Sequence, residues 1–236
     1  MNEEFTLGVF SDPHSNLLSL QAVLEDMVSK YPIEKIACLG DIVGYYSQPK
    51  QVLEQVLEVS DYIVKGNHDE AACKNIIPND FNIFAAQAIQ YSIDKISVDD
   101  KKVLNNLSPI ETVTIDEKSV QFCHGSPQFP LDEYTFNFTS QQDAIFEFMN
   151  FIDINILFLG HTHIPYIREV NGKIIANPGS SSQPRDGDNR PSYIVFDIKN
   201  GLGKIERVSY DYEQIIKMTS EAGLPAQLGE RLRKGK

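Results

Sequence analysis

Three short apolar runs in the first 70 residues each stop at a cluster of glycine, carboxylate or histidine, with a helical pattern between each pair. Phe5 to Phe10 reads as a strand and stops at Ser11-Asp12-Pro13-His14. Lys35 to Leu39 is a second strand, ended by Gly40-Asp41. Tyr62 to Val64 is a third, ended by Gly66-Asn67-His68-Asp69. Between them, Leu17, Leu18, Val23, Leu24, Met27 and Val28 recur at helical spacing, and Pro49 to Val59 forms a second amphipathic pattern with proline suited to the first turn. A β-α-β-α-β order implies a parallel sheet covered by helices. In such sheets the ligand crevice lies beyond the carboxyl ends of the strands, where these polar clusters fall.

The rest of the chain extends this pattern. Residues 71–108 carry no strong strand signal and read as a helical segment covering part of the crevice, ended by Ser108-Pro109. Glu111 to Ile115 and Lys118 to Cys123 form a hairpin about Asp116-Glu117, with His124-Gly125 directly after it. Gln141 to Phe151 is helical. Ile154 to Leu159 is an apolar strand ended by Gly160-His161-Thr162-His163. Tyr166 to Val170 and Lys173 to Asn177 flank Asn171-Gly172, a strong hairpin signal. Ser192 to Ile198 and Lys204 to Tyr210 are two more strands. A C-terminal helix follows, with the basic tail Arg231 to Lys236 expected to be a solvated, frayed end. No repeat or linker divides the chain. The expectation is one domain over residues 1–236, an α/β/β/α sandwich of two mixed sheets flanked by helices.

Bulk properties exclude some roles. A net charge of −12 repels nucleic-acid backbones and anionic lipids, so non-specific nucleic-acid binding is not expected. No apolar run is long enough to span a bilayer, and acidic Glu3 and Glu4 stand where a secretion signal would be positive. Cys38, Cys73 and Cys123 show no metal-knuckle spacing and read as reduced thiols, two of them in the core. Together these features predict a cytoplasmic protein. Homo-oligomerisation stays open.

All five histidines, His14, His68, His124, His161 and His163, lie just after predicted strands, beside glycine or a carboxylate. With Asp12, Asp41 and Asn67 they make a set of imidazole nitrogens, carboxylates and one amide oxygen. Such mixed donors suit manganese, iron or zinc. Eight donors are too many for one ion, whereas two ions sharing a bridging carboxylate would use them. Two ions about 3.5–4 Å apart clamp the attacking and leaving oxygens of an in-line displacement, which is phosphoester chemistry.

These segments resemble the calcineurin-like metallophosphoesterases. Asp12-Pro13-His14, Gly40-Asp41, Gly66-Asn67-His68-Asp69, His124-Gly125 and Gly160-His161-Thr162-His163 match that family's D-x-H, GD, GNH[DE], H and GHxH blocks in order. The resemblance implies that Asp12, His14 and His163 hold one divalent metal ion and Asn67, His124 and His161 a second, with Asp41 bridging both. His68 is implied to be catalytic, hydrogen-bonding the substrate phosphate and protonating or stabilising the leaving oxygen. Asp69 is implied, more weakly, to orient it. Asn177-Pro178-Gly179-Ser180 resembles a turn of the family's small bacterial and archaeal branch, whose members act on phosphodiesters or dinucleoside polyphosphates. A phosphorylated small-molecule or nucleotide substrate is therefore expected. A phosphomonoesterase acting on proteins or small molecules, and a non-catalytic scaffold with the same fold, remain the alternatives. Arg185 is a candidate substrate-binding residue, because its planar fork suits phosphate. Arg190 is a weaker candidate for the same contact, and Tyr45 and Tyr46 are candidates either to stack on a nucleobase or to pack the core.

Overall fold

The computed structural model describes residues 6–236. Phe5, where the first predicted strand begins, and Glu3 and Glu4 lie outside the described residues. Two five-stranded sheets pack face to face. The first has the order β10-β9-β1-β2-β3, built from β1 (Thr6–Phe10), β2 (Lys35–Cys38), β3 (Tyr62–Ile63), β9 (Ser192–Asp197) and β10 (Leu202–Arg207). The second has the order β4-β5-β6-β8-β7, from β4 (Ile110–Ile115), β5 (Lys118–Cys123), β6 (Ile156–Phe158), β7 (Tyr166–Val170) and β8 (Lys173–Asn177). Both sheets are mixed. The runs β1-β2-β3 and β5-β6-β8 are parallel, and hairpin partners complete each edge antiparallel.

Strands covered on both faces must be apolar on both, and β1 and β6 are. Leu7 and Val9 of β1 point between the sheets, with Val120, Phe122, Ile156, Phe158, Ile194 and Phe196. Phe10 faces the other way, toward helix α1 (Leu17–Lys30) and helix α2 (Pro49–Val59). In the second sheet Ile156 and Phe158 point inward, while Leu157 and Leu159 meet Ile145, Phe146 and Met149 of helix α6 (Ser140–Phe151). The layers are helix, sheet, sheet and helix, as expected.

The segment read as helical from residue 71 begins four residues earlier. Helix α3 (Asn67–Lys74) starts inside the third motif, followed by α4 (Ile83–Lys95) and α5 (Val98–Asn106). The expected frayed tail is corrected. Helix α7 (Tyr212–Glu221) and helix α8 (Ala226–Lys234) bury Ile215, Leu228 and Leu232 against Tyr45 and Tyr46. The Gly187 N–H donates to the Gly235 carbonyl at 2.9 Å, which anchors the end of the chain. Leu228 and Leu232, one turn apart on α8, keep that helix face buried while the long basic side chains extend their charge to water. Cys38 and Cys123 are buried and Cys73 half-buried, all three as free thiols. No helix among the described residues is long and apolar enough to cross a membrane.

Phe158 is fully buried between the sheets, stacked on Phe122 at 5.6 Å and edge-on to Phe196 at 5.2 Å between ring centroids. Phe158→Ala is expected to cost about 3–5 kcal/mol in equilibrium denaturation. A loss below ~1 kcal/mol would show that the two sheets do not depend on this contact.

Candidate metal centre

The six parallel strands deliver their carboxyl ends to one edge of the sandwich. Asp12 and His14 follow β1, Asp41 follows β2, and Asn67 follows β3. His124 follows β5, and His161 and His163 follow β6. Six of the eight predicted residues thus come off strand ends, and Asn67 and His68 sit in the first turn of α3. All eight converge.

The two-residue spacings do not come from extended backbone. An extended segment would place both side chains on one side, but neither segment is extended. Asp12 and His14 have φ of 54° and 40°, and His161 and His163 have 66° and 58°. Asp41 is also left-handed, at 53°. Non-glycine residues pay roughly 1–2 kcal/mol for such backbone. Backbone bonds hold it in place: Asp12 N–H donates to the Gly40 carbonyl at 3.1 Å and His14 N–H to the Asp41 carbonyl at 3.0 Å.

Hydrogen bonds also determine which nitrogen of each imidazole is free. Nδ1 of His14 lies 3.1 Å from the Val43 carbonyl, that of His124 2.7 Å from the Leu39 carbonyl, and that of His163 2.6 Å from the Gln183 carbonyl. A carbonyl only accepts, so each Nδ1 carries the proton and each Nε2 is left as a lone pair when the ring is neutral. These nitrogens lie close to one another and to carboxylate oxygens. His14 Nε2 is 3.2 Å from His163 Nε2, and His124 Nε2 is 3.0 Å from His161 Nδ1. Asp41 Oδ2 lies 3.3 Å from His124 Nε2 and 3.6 Å from His14 Nε2. Asp12 Oδ1 lies 3.2 Å from His163 Nε2, without hydrogen-bond geometry. The Asn67 amide shows the same pattern. Its oxygen faces the two Asp41 carboxylate oxygens at 3.2 and 3.3 Å, so only a half-turn of the amide or a cation between them would satisfy these atoms.

This crowding of buried acceptors fits metal cations. Three groups have ligand atoms mutually within 4.8 Å: Asp12, His14 and His163; Asp41, His124 and His161; and His14, Asp41 and His68. The electrostatics agree. Burial alone would raise the Asp12 and Asp41 carboxyls, but the surrounding imidazoles outweigh it and hold both below the ordinary range. Burial pushes His161 down to about 3 and His68 to about 4. Burial also disfavours a charged His124, but Asp41 outweighs it and raises this imidazole to about 9.

His68 is set differently. Its backbone N–H donates to Asp41 Oδ1 at 2.9 Å. Its ring packs among Phe81 at 4.6 Å, His14 at 4.8 Å and Tyr45 at 4.9 Å between centroids. Gly44 makes room for it, since a Cβ there would stand 2.3 Å from His68 Nδ1. Asp69 does not orient His68. Its carboxylate accepts the N–H groups of Ile42 at 2.9 Å, Val43 at 3.2 Å and Gly66 at 3.0 Å, so it braces the loop after β2 against the start of α3.

The turn after β8 carries structure that its residue types did not announce. Asn177 Nδ2 donates to the Gly160 carbonyl at 2.6 Å and to Thr162 Oγ1 at 3.2 Å, which fastens the loop bearing His161 and His163. Ser180 and Ser182 hydroxyls donate to the Asp12 carbonyl at 2.9 and 2.7 Å, and the Ser181 hydroxyl to the Ser11 carbonyl at 2.9 Å. These buried hydroxyls tie the two sheets together at the centre. Gly160 permits the same approach, because a Cβ there would fall 2.2 Å from Ser11 Oγ.

A pocket opens beside the centre, lined by Tyr45, Asn67, His68, Phe81, Tyr134 and His161. The Tyr134 ring stacks on His161 at 3.8 Å. Neither Tyr134 nor Phe81 was a sequence candidate, and the one available signal was the density of aromatics from Phe129 to Phe138. Arg185 Nη2 donates to Tyr45 Oη at 3.2 Å, and its backbone N–H to the His163 carbonyl at 3.2 Å, so it stands at the centre's edge. Arg190 is instead ion-paired with Asp188 on the surface. Tyr46 is buried and accepts from Gln183 Nε2 at 3.1 Å.

The calcineurin-like phosphoesterase superfamily domain matches residues 5–201 of the chain. An uncharacterized protein of Methanocaldococcus jannaschii is 36% identical over 242 aligned residues, covering 96% of both chains. The crystal structure of a metallophosphoesterase from Sphaerobacter thermophilus superposes with a TM-score of 0.82 at 31% identity, covering 99% of this chain and 100% of that one. A hypothetical protein from Pyrococcus horikoshii shares the fold, with a TM-score of 0.89 at 20% identity over 98% of this chain and 99% of its own.

Metal-stripped protein is expected to melt roughly 5–15 °C higher when manganese is added at a large excess over its dissociation constant, since binding only the folded state stabilises it by mass action. Asp41→Ala should abolish most of that shift. A melting temperature indifferent to manganese, iron and zinc would overturn the reading of the centre.

Proposed function

The chain belongs to the calcineurin-like phosphoesterase superfamily, and on that premise we propose that it is a two-metal hydrolase of phosphodiesters or dinucleoside polyphosphates, working as one domain in the cytoplasm. The observation that carries this reading is the convergence of imidazole nitrogens and carboxylate oxygens around Asp41. Asp12, His14 and His163 would hold one ion, Asn67, His124 and His161 the other, and Asp41 both. Mixed nitrogen and oxygen donors favour manganese, iron or zinc. Bound ions of this kind neutralise phosphate charge and acidify water toward neutral pH.

The chain's own residues supply the rest. The Nδ1–carbonyl bonds hold three imidazoles rigid, so little reorganisation is needed when charge develops. His68, pressed between aromatic rings, presents its imidazole beside the pocket. Burial first, then the Arg185 cation and the neighbouring imidazoles, hold its pKa near 4, so the neutral ring is the form present at neutral pH. A neutral imidazole donates an N–H hydrogen bond. We therefore assign His68 to binding the phosphate and stabilising the leaving oxygen. Arg185, beside His163 and the Tyr45 hydroxyl, is assigned to the substrate's negative charge.

His68→Ala is expected to keep its bound metal while turnover of bis(p-nitrophenyl) phosphate in manganese falls by ~10²–10⁴-fold. Elemental analysis alongside kinetics checks this. Loss of metal in the His68 variant would make His68 a ligand instead. Wild-type protein that binds metal yet hydrolyses neither diesters, dinucleoside polyphosphates nor phosphomonoesters would favour a scaffold role.

A further inference from the structure

No lysine or arginine lines the pocket beside the metal centre, and two exposed carboxylates, Asp80 and Asp132, stand at its rim. Among the described residues neither carboxylate makes a hydrogen bond or an ion pair. Burial raises the Asp132 carboxyl, and the nearby Asp80 charge raises it further. Lys74, which borders the adjoining groove with Asp132, is paired with Glu70. The two like charges are therefore held near one another with no cation to offset them.

The pocket also has aromatic walls that begin at the centre itself. Phe81 lies 4.6 Å from the His68 ring and Tyr134 3.8 Å from the His161 ring, between centroids. The third ring, Tyr45, already meets cations, with the guanidinium carbons of Arg185 and Arg231 5.9 and 5.7 Å from its centroid. Among the described residues no cation lies over the ring of Phe81 or Tyr134. Local bonds fix both walls. The Gly125 N–H donates to the Pro130 carbonyl at 2.7 Å and the Ser126 N–H to the Phe129 carbonyl at 3.1 Å, which turns the loop after β5 back before Asp132 and Tyr134. The Phe81 N–H donates to the Pro78 carbonyl at 3.2 Å, and the Asn82 side chain caps α4 by accepting from Phe84 and Ala85, each at 3.0 Å. The cavity measures about 150 Å³, room for one small organic group. His161, only 4% exposed, borders it. Its Nδ1 faces His124 inside the centre, and its buried Nε2 has no hydrogen-bond partner, which leaves that nitrogen for a polar atom of a bound ester.

We propose that this pocket is the subsite for the alcohol half of a phosphodiester, and that it takes a small alkylammonium head group. An ammonium beside Asp80 and Asp132 relieves their mutual repulsion. Aromatic faces attract its charge and cover its methyl or methylene groups. A second phosphate would meet two carboxylates there and be repelled. A neutral nucleobase would stack on the same rings but leave the carboxylate pair unrelieved. The inference rests on the phosphoester-hydrolase reading and narrows it to diesters of amino alcohols, away from dinucleoside polyphosphates.

Calorimetric titration of phosphocholine and of its uncharged-head isostere, 3,3-dimethylbutyl phosphate, into manganese-loaded protein reads the head group alone. Wild type is expected to bind phosphocholine about three- to ten-fold more tightly at low salt, the sum of exposed ion-pair and cation–π contacts. Added salt should shrink the preference, because both carboxylates are exposed. Asp80→Asn and Asp132→Asn should each reduce the ratio, and the double variant should bring it near one. The ratio in these variants separates the pocket from the chain's overall negative charge. Each substitution removes a like-charge contact, so melting temperatures should not fall. Equal affinity for the two ligands in wild type, or an undiminished preference in the double variant, would overturn the subsite. Absence of phosphodiester turnover in manganese-loaded wild type would instead overturn the hydrolase reading, while the binding ratio still decides the subsite.

Discussion

The Nδ1–H···O=C bonds of His14, His124 and His163 are the interactions on which the rest of the centre depends. Each fixes a tautomer, and each aims a lone pair inward. A free imidazole would turn away from a neighbouring lone pair or carboxylate. Here three backbone carbonyls, from Val43, Leu39 and Gln183, prevent that turn. The result is a buried cluster of nitrogen and carboxylate donors that a proton on His124 satisfies in part and metal cations can satisfy as a whole. Such an arrangement is unfavourable by itself, and the folded sandwich around it must supply the compensation.

That compensation comes from the packing of two sheets. The parallel strands of one bring Asp12, His14, Asp41 and Asn67, and those of the other bring His124, His161 and His163. Two of the three donor groups draw on both sheets. The interlayer aromatics Phe122, Phe158 and Phe196 hold the sheets together. Buried hydroxyls of Ser180, Ser181 and Ser182 bind the carbonyls of Asp12 and Ser11 across the seam. Five donor-bearing residues can then keep left-handed backbone, because surrounding bonds leave them no relaxed alternative.

The C-terminal helices extend this logic outward. Their apolar faces close over Tyr45 and Tyr46, so the segment expected to fray becomes a wall beside the pocket. Asp69 shows a similar change of role. Its position next to His68 suggests a hydrogen-bonding partner, yet three backbone N–H groups claim its carboxylate. Side-chain adjacency along the chain does not decide pairing when a loop two strands away offers better donors.

Much of the fold and the centre was legible in the sequence. Apolar runs of strand length that alternate with 3.6-residue patterns determine a helix-covered parallel sheet, because burial on both faces demands it. The ordered blocks from Asp12 to His163 determine which eight side chains gather, because strand ends on one edge have nowhere else to converge. What the chain order could not determine was how they are held. The left-handed turns at Asp12, His14, His161 and His163, the bracing by Asn177 and the serines, and the stacking of Tyr134 on His161 are contacts between segments far apart in the chain. The contact of Arg185 and Arg231 with Tyr45 is the furthest case. It joins distant segments through ring–cation contacts, and no local pattern encodes such contacts, since only packing decides which side chains meet.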